Sequence, residues 1–339
     1  MDIEKFIVVG ENIHCTRIFK VGGKSVRTHA DGMSEIVFQA DGERRSLPVP
    51  PVFTEGADWA NGRVKHCAVA IWQGCYGSPA DQAAGIAYLQ ALAKAQEARG
   101  AAYLDINVDE FSSDTDERVR LMQWTVNVAQ QAATIPVSVD SSSLEILKAG
   151  LEACDTSRGR PMVNSVSLER KDALELAARC RAVVIASAAG ESGLPANTDE
   201  RLANLNRLMP MLADAGLGSA DIHVDPLVFP ISVDANNGRG FLDAVKAIRA
   251  EYGPDIHIVA GLSNVSFGMP NRKLINQVFS WLAVEAGADG GIVDPAQINL
   301  EELRALDVGS EGFQLAKALL LGEDEYGMNF IAASREGTI

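Results

Sequence analysis

Basic charge is scarce in this chain: 30 lysines and arginines stand against 45 aspartates and glutamates, a formal net charge of −15. Phosphate recognition needs a basic face, and none shows in the pattern, so a nucleic-acid partner is excluded. No apolar stretch approaches the roughly 18 residues of a membrane span. The opening residues carry Asp2 and Glu4 ahead of a short apolar run, and so lack the basic start and longer apolar core of a secretory leader. Cysteine is sparse and odd in number, at 5, which points to reduced thiols in a cytoplasm and not to a disulfide framework. There is no C-x-x-C and no H-x-x-x-H. His14, Cys15, His29, His66, Cys67 and Cys75 include only two adjacent His-Cys pairs, so they read as loop residues and small buried thiols, with no metal site expected. No G-x-G-x-x-G follows the first strand-like run, and Gly22-Gly23-Lys24-Ser25 lacks the spaced glycine and following helix of a phosphate loop.

What is present is ample core material, with 47% hydrophobic residues, 22% charged and a mean hydropathy of +0.03. Short apolar runs alternate with helical patterns from residue 79 onward, as βαβ units do. Eight strands are expected, over residues 6–10, 103–108, 136–140, 161–166, 182–187, 222–228, 257–266 and 291–294. Helices are expected over 81–98, 116–133, 144–154, 198–215, 241–251 and 272–286. Eight such strands favour a closed (β/α)₈ TIM barrel, a single domain over residues 1–339, over an open doubly wound sheet. Residues 15–78 break the rhythm. Pieces such as 34–39 and 69–72 and the prolines Pro48, Pro50 and Pro51 suggest hairpins and extended loops, inserted in the first βα loop. That loop opens on the face where barrel enzymes keep their chemistry, so the insertion is either a lid or partner-docking surface, or a stabilising excursion or oligomer contact.

The expected strand ends carry Asp105 and Asn107, then Asp140, Asn164, Asp225, Asn264 and Asp294. One such residue is ordinarily a helix cap or turn former. Seven on one rim offer a set of acceptors and donors without fixed positive charge, which suits a neutral heterocycle rich in N–H groups. A 2-amino-4-oxopyrimidine, as in pterin or guanine, presents an exocyclic amine beside a ring N–H, and one carboxylate can accept both.

The segments Leu104-Asp105-Ile106-Asn107-Val108, Val137-Ser138-Val139-Asp140-Ser141, Met162-Val163-Asn164-Ser165, Val224-Asp225-Pro226-Leu227 and Gly261-Leu262-Ser263-Asn264-Val265-Ser266 resemble the methyltetrahydrofolate:corrinoid methyltransferases. These belong to the pterin-binding superfamily that includes dihydropteroate synthase. The likeness runs in order over residues 79–295, and Gly10-Glu11-Asn12-Ile13 resembles the family's first loop. The resemblance implies that Asp140, Asn164 and Asp225 hold the pyrimidine side of the pterin and that Asn264 reaches N5, the methyl-bearing atom. Asp105, Asn107 and Arg272 lie in similar segments near the site. It also implies tetrahydrofolate or methyltetrahydrofolate as substrate, a corrinoid (cobalamin) carried by a partner protein, and a homodimer. Phe267 departs from relatives with a polar residue there, and the compact members lack the insertion.

Transfer from N5 requires that nitrogen to gain positive character, so that it leaves as a neutral amine. Asn264 has no useful pKa and can only orient and stabilise the N5 proton, which comes from water or a carboxylate. A dihydropteroate synthase is the nearest enzyme alternative. It would carry a basic pair after the serine where this chain has Ser263-Asn264-Val265-Ser266. A non-catalytic pterin-binding protein is the alternative outside enzymes.

Overall fold

The computed structural model describes residues 3–339. Eight parallel strands close into a barrel. In chain order they are Ile7–His14, Ala101–Asn107, Val137–Asp140, Met162–Val166, Val183–Ser187, Ile222–Asp225, His257–Ala260 and Gly290–Val293. Each lies beside its neighbours in sequence, and the eighth closes on the first. No helix among the described residues is long and apolar enough to cross a membrane.

Contacts divide the chain into two compact units. One holds the chain up to Gly10, Arg99–Ala102 and Met162–Ile339; the other holds Glu11–Ala98 and Tyr103–Pro161. In the first, the opening of the first strand pairs with the eighth from Ile7 opposite Gly290 to Gly10 opposite Val293. The fifth and sixth run in register from Val184 and Ile222 to Ser187 and Asp225. These strands are buried along their length, as Val183–Ser187 shows, and so read as continuous apolar runs without alternation. Gly290 has no alternative here, because a methyl group on it would collide with the Ile7 carbonyl oxygen.

The second unit pairs the second and third strands, Leu104 opposite Val137 and Ile106 opposite Val139. It also contains the insertion. Ile18–Lys20 pairs antiparallel with Arg63–Lys65, and Val26–Thr28, Ser34–Ala40 and Glu43–Pro48 form a three-stranded antiparallel sheet. The hairpins expected of the insertion are therefore present. One piece is corrected: residues 69–72 are not extended but lie in the helix His66–Tyr76, which packs on Pro79–Ala98. The contact is close enough that a methyl on Gly85 would sit 2.5 Å from the Ala70 carbonyl oxygen.

Three expected strands end more than one residue from where the sequence placed them. The first runs on to His14, the sixth stops at Asp225, and the seventh stops at Ala260. Pro226 and the left-handed Leu227 (φ 70°) end the sixth, while Leu262–Ser266 forms a 3₁₀ turn after the seventh.

Candidate active site

Of the side chains singled out in the sequence, Asn107, Asp140 and Asp225 end parallel strands, Asp105 and Asn164 stand within theirs, Asn264 and Asp294 follow one, and the structure sorts them by what they already bind. In the second unit Asp140 ends the third strand. Its Oδ2 accepts from Asn107 Nδ2 at 2.9 Å and lies 3.5 Å from His14 Nε2. Oδ1 of Asp140 has no partner among the described residues and is free to accept from a ligand. The Asn107 amide cannot flip, because its Oδ1 accepts the Asp109 N–H at 2.9 Å. Asp109 in turn accepts from the Ser141 hydroxyl at 2.6 Å and from the Ser142 N–H at 2.7 Å, tying together the loops after the second and third strands. Asp105 is buried on the second strand, and its charge reaches His14.

In the first unit Asp225 ends the sixth strand and is half-buried. Its Oδ1 accepts from Leu227 N–H at 2.8 Å, and Oδ2 has no partner among the described residues. Burial pushes its pKa up to about 6, against the pull of the Leu227 hydrogen bond and of Arg201. Arg201 is itself buried; its guanidinium donates to the Pro226 carbonyl at 2.6 Å and the Leu227 carbonyl at 3.3 Å, and lies 5.4 Å over the Phe229 ring. It fixes the turn that follows Asp225. Asn164 stands half-buried on the fourth strand.

Asn264 lies on the 3₁₀ turn Leu262–Ser266, exposed, with no side-chain hydrogen bond among the described residues. Arg272, which opens the helix Arg272–Ala286, donates to Ser266 Oγ and to the Ser263 carbonyl, both at 2.9 Å, and so holds that turn in place. Phe267, the next residue along, is 66% exposed. Asp294 is different: its two oxygens accept from Ala296 N–H at 2.9 Å and Gln297 Nε2 at 2.7 Å, which makes it a turn former.

The sequence reading set His14 aside as a loop residue, although it closes the first strand, and did not single out Asp109 or Arg201; all three now bear on these groups. Each acts on a strand-end side chain or loop far from it in the chain, and no local motif marks such a pairing. Among the described residues no three His, Cys, Asp or Glu side chains are grouped to hold a metal ion.

The family model of pterin binding enzymes matches residues 82–294. A methylcorrinoid:tetrahydrofolate methyltransferase of Eubacterium limosum is 33% identical over 261 residues, which cover 75% of this chain and 89% of that protein. Among solved structures, dihydropteroate synthases of Stenotrophomonas maltophilia and Xanthomonas albilineans align with a TM-score of 0.50 at 17% identity. They cover 67% and 68% of this chain and 87% and 90% of theirs, a likeness of fold alone.

Proposed function

The chain belongs to the pterin-binding enzyme family, and from that premise we propose that it is a methyltransferase moving a methyl group between N5 of tetrahydrofolate and the cobalt of a corrinoid. The observation that carries the reading is made in each unit by itself, at Asp140 in one and at Asp225 in the other. Each ends a parallel strand, spends one oxygen on its own protein and keeps the other open. The pyrimidine edge of a pterin supplies the N–H donors such oxygens require. Donors arriving at Asp225 favour its charged form and so recover part of what burial costs it. Asn164 adds a carboxamide to the same edge. Asn107 acts by holding Asp140, Arg272 by holding the turn of Asn264, and Asp105 by its buried negative charge.

Asn264 is the residue for the reacting atom, with a side-chain amide that makes no hydrogen bond among the described residues. The corrinoid supplies a cobalt that accepts the methyl as a nucleophile in one direction and delivers it in the other. Towards the corrinoid, the N5–methyl bond breaks with its electron pair going to nitrogen, so a proton must reach N5. In reverse, N5 attacks the methyl and then sheds its proton. In both directions Asn264 orients the N5 proton and stabilises it most where charge develops. The absence of a basic pair around Ser263-Asn264-Val265-Ser266 speaks against a dihydropteroate synthase. The corrinoid is carried by a separate protein and the enzyme is a homodimer, both supported by the resemblance to the methyltransferases; that it works in the cytoplasm is supported by its few, odd-numbered cysteines.

Calorimetry with methyltetrahydrofolate, without added metal, tests the binding half, and exchange of methyl with methylcobalamin, followed by its absorbance, tests the chemistry. Binding together with transfer is the expected result. A folded protein that binds no folate at millimolar concentration overturns the reading, and one that binds but never transfers overturns its catalytic half.

A further inference from the structure

His14 closes the first strand, and none of the pterin contacts proposed above uses it. Its ring is held from both sides. Nδ1 lies 3.2 Å from the Thr16 N–H and 2.7 Å from the Thr16 hydroxyl. An N–H can only donate, so Nδ1 is an acceptor in the neutral ring and Nε2 carries the hydrogen, 3.5 Å from Asp140 Oδ2. The Thr16 hydroxyl can turn to accept when Nδ1 is protonated, so the ring keeps its place in both charge states. Asn107 donates to that same oxygen from the second strand. A hydrogen bond from one strand and an imidazole N–H 3.5 Å away on another meet at one oxygen, which restrains the carboxylate more than the single donor would.

We infer that His14 is a positioning residue of the pterin site: with Asn107 it grips Asp140 by Oδ2 and so presents Oδ1 as the acceptor for the ligand. The inference rests on the reading of Asp140 as a pterin ligand. The groups facing the ring are Asp140, Asp105 and Arg17. Burial opposes protonation of His14 and is the largest single influence. The hydrogen bond and charge of Asp140, with the charge of Asp105, outweigh burial and Arg17 together, so the imidazole titrates above its ordinary 6.5. A side chain that merely filled space would show no such dependence on Asp140.

The test pairs two substitutions with a titration. His14→Ala removes the grip and should raise the dissociation constant for methyltetrahydrofolate about tenfold, with kcat at saturating folate within about twofold. His14→Gln, whose amide N–H can stand in for Nε2–H, should restore affinity to within about threefold of the wild type. Thermal melts confirm that both fold. An alanine variant that binds within twofold of the wild type, or a glutamine variant as weak as the alanine one, overturns the inference. The grip is also measured without ligand, on protein with ¹³C-labelled histidine. The resonance absent from the His14→Gln spectrum should titrate above 6.5, and lower in Asp140→Asn. A pKa that stays put in Asp140→Asn overturns the inference even where folate binds. A wild type that binds no folate, with the His14 pKa still moved by Asp140→Asn, overturns the proposed function and leaves the grip standing.

Discussion

At the scale of single residues Asp225 carries a cost of burial. A carboxyl raised from 3.8 to about 6 is one the folded protein would sooner keep protonated. Its contribution to stability is therefore fully present below 3.8 and is lost as the pH rises through about 6. Asp225→Asn, which keeps the shape and cannot ionise, should stabilise the ligand-free protein at pH 7.5 by about 1 to 3 kcal/mol, allowing for solvent screening at a half-buried group. Denaturant unfolding at pH 7.5 and at pH 5 checks this, and the gain should shrink at the lower pH. The same variant should lose most of its folate affinity, so the residue is a case of stability given up for binding. Wild-type affinity should itself decline as the pH falls below about 6, because the ligand's donors need the carboxylate. Asn264 separates differently. Asn264→Ala should lower kcat about 100-fold, near 2.7 kcal/mol, while folate binding stays within about threefold. A variant with wild-type turnover would remove Asn264 from the reaction.

At the scale of elements, the strands and turns explain what could be foreseen. The run over 222–225 was legible because buried parallel strands are apolar throughout, and its end was less so: Pro226 is a visible stop, but the left-handed Leu227 is not. Residues 257–266 look like one long strand, yet the chain leaves the sheet at Ala260, and Asn264 owes its exposure to the 3₁₀ turn that follows. The helix His66–Tyr76 was missed for a physical reason: it is buried on nearly every side, so it lacks the polar stripe that marks an amphipathic helix. The short helix Ala173–Arg179 and the helices Leu300–Arg304, Glu311–Leu320 and Met328–Glu336 were also unforeseen. Asp140 and Asp225 were readable as residues that end strands, whereas Asn164, expected at a strand end, stands in the middle of its strand. His14 and Arg201 were not readable, since their partners lie far along the chain. One prediction belongs to this scale. A methyl group on Gly261 would approach Asn264 Nδ2 to 2.9 Å, and an amide at the end of an exposed side chain can swing away. Gly261→Ala should therefore leave the melting temperature within a few degrees and cut kcat about tenfold, as a displaced catalytic group does. Unchanged turnover would show that Asn264 works from another rotamer.

At the scale of the whole molecule, the insertion is the part whose removal says most. Its two ends meet: His66 N–H donates to the Arg17 carbonyl at 3.2 Å, and Ile18 pairs with Lys65. Residues 18–65 can thus be excised and Arg17 joined to His66 through two glycines with no strain on the barrel strands. The costs are local. Phe19 stacks on His66 at 4.0 Å between ring centres, Phe38 meets Tyr88 edge-on at 4.9 Å, and Gln73 Nε2 donates to the Pro48 carbonyl at 2.8 Å. Losing these exposes apolar surface on the helices His66–Tyr76 and Pro79–Ala98, at about 25 cal/mol for each Å² uncovered. The shortened protein should melt several degrees lower. Its folate affinity should remain within about threefold of the full chain, because every side chain proposed to touch the pterin stands on a barrel strand or the turn after one. Affinity that falls with the insertion would make residues 18–65 a cover over the ligand. Retained affinity assigns them instead to whatever the rim meets outside, where transfer from free methylcobalamin and from a corrinoid-bearing protein can be compared on the same shortened enzyme.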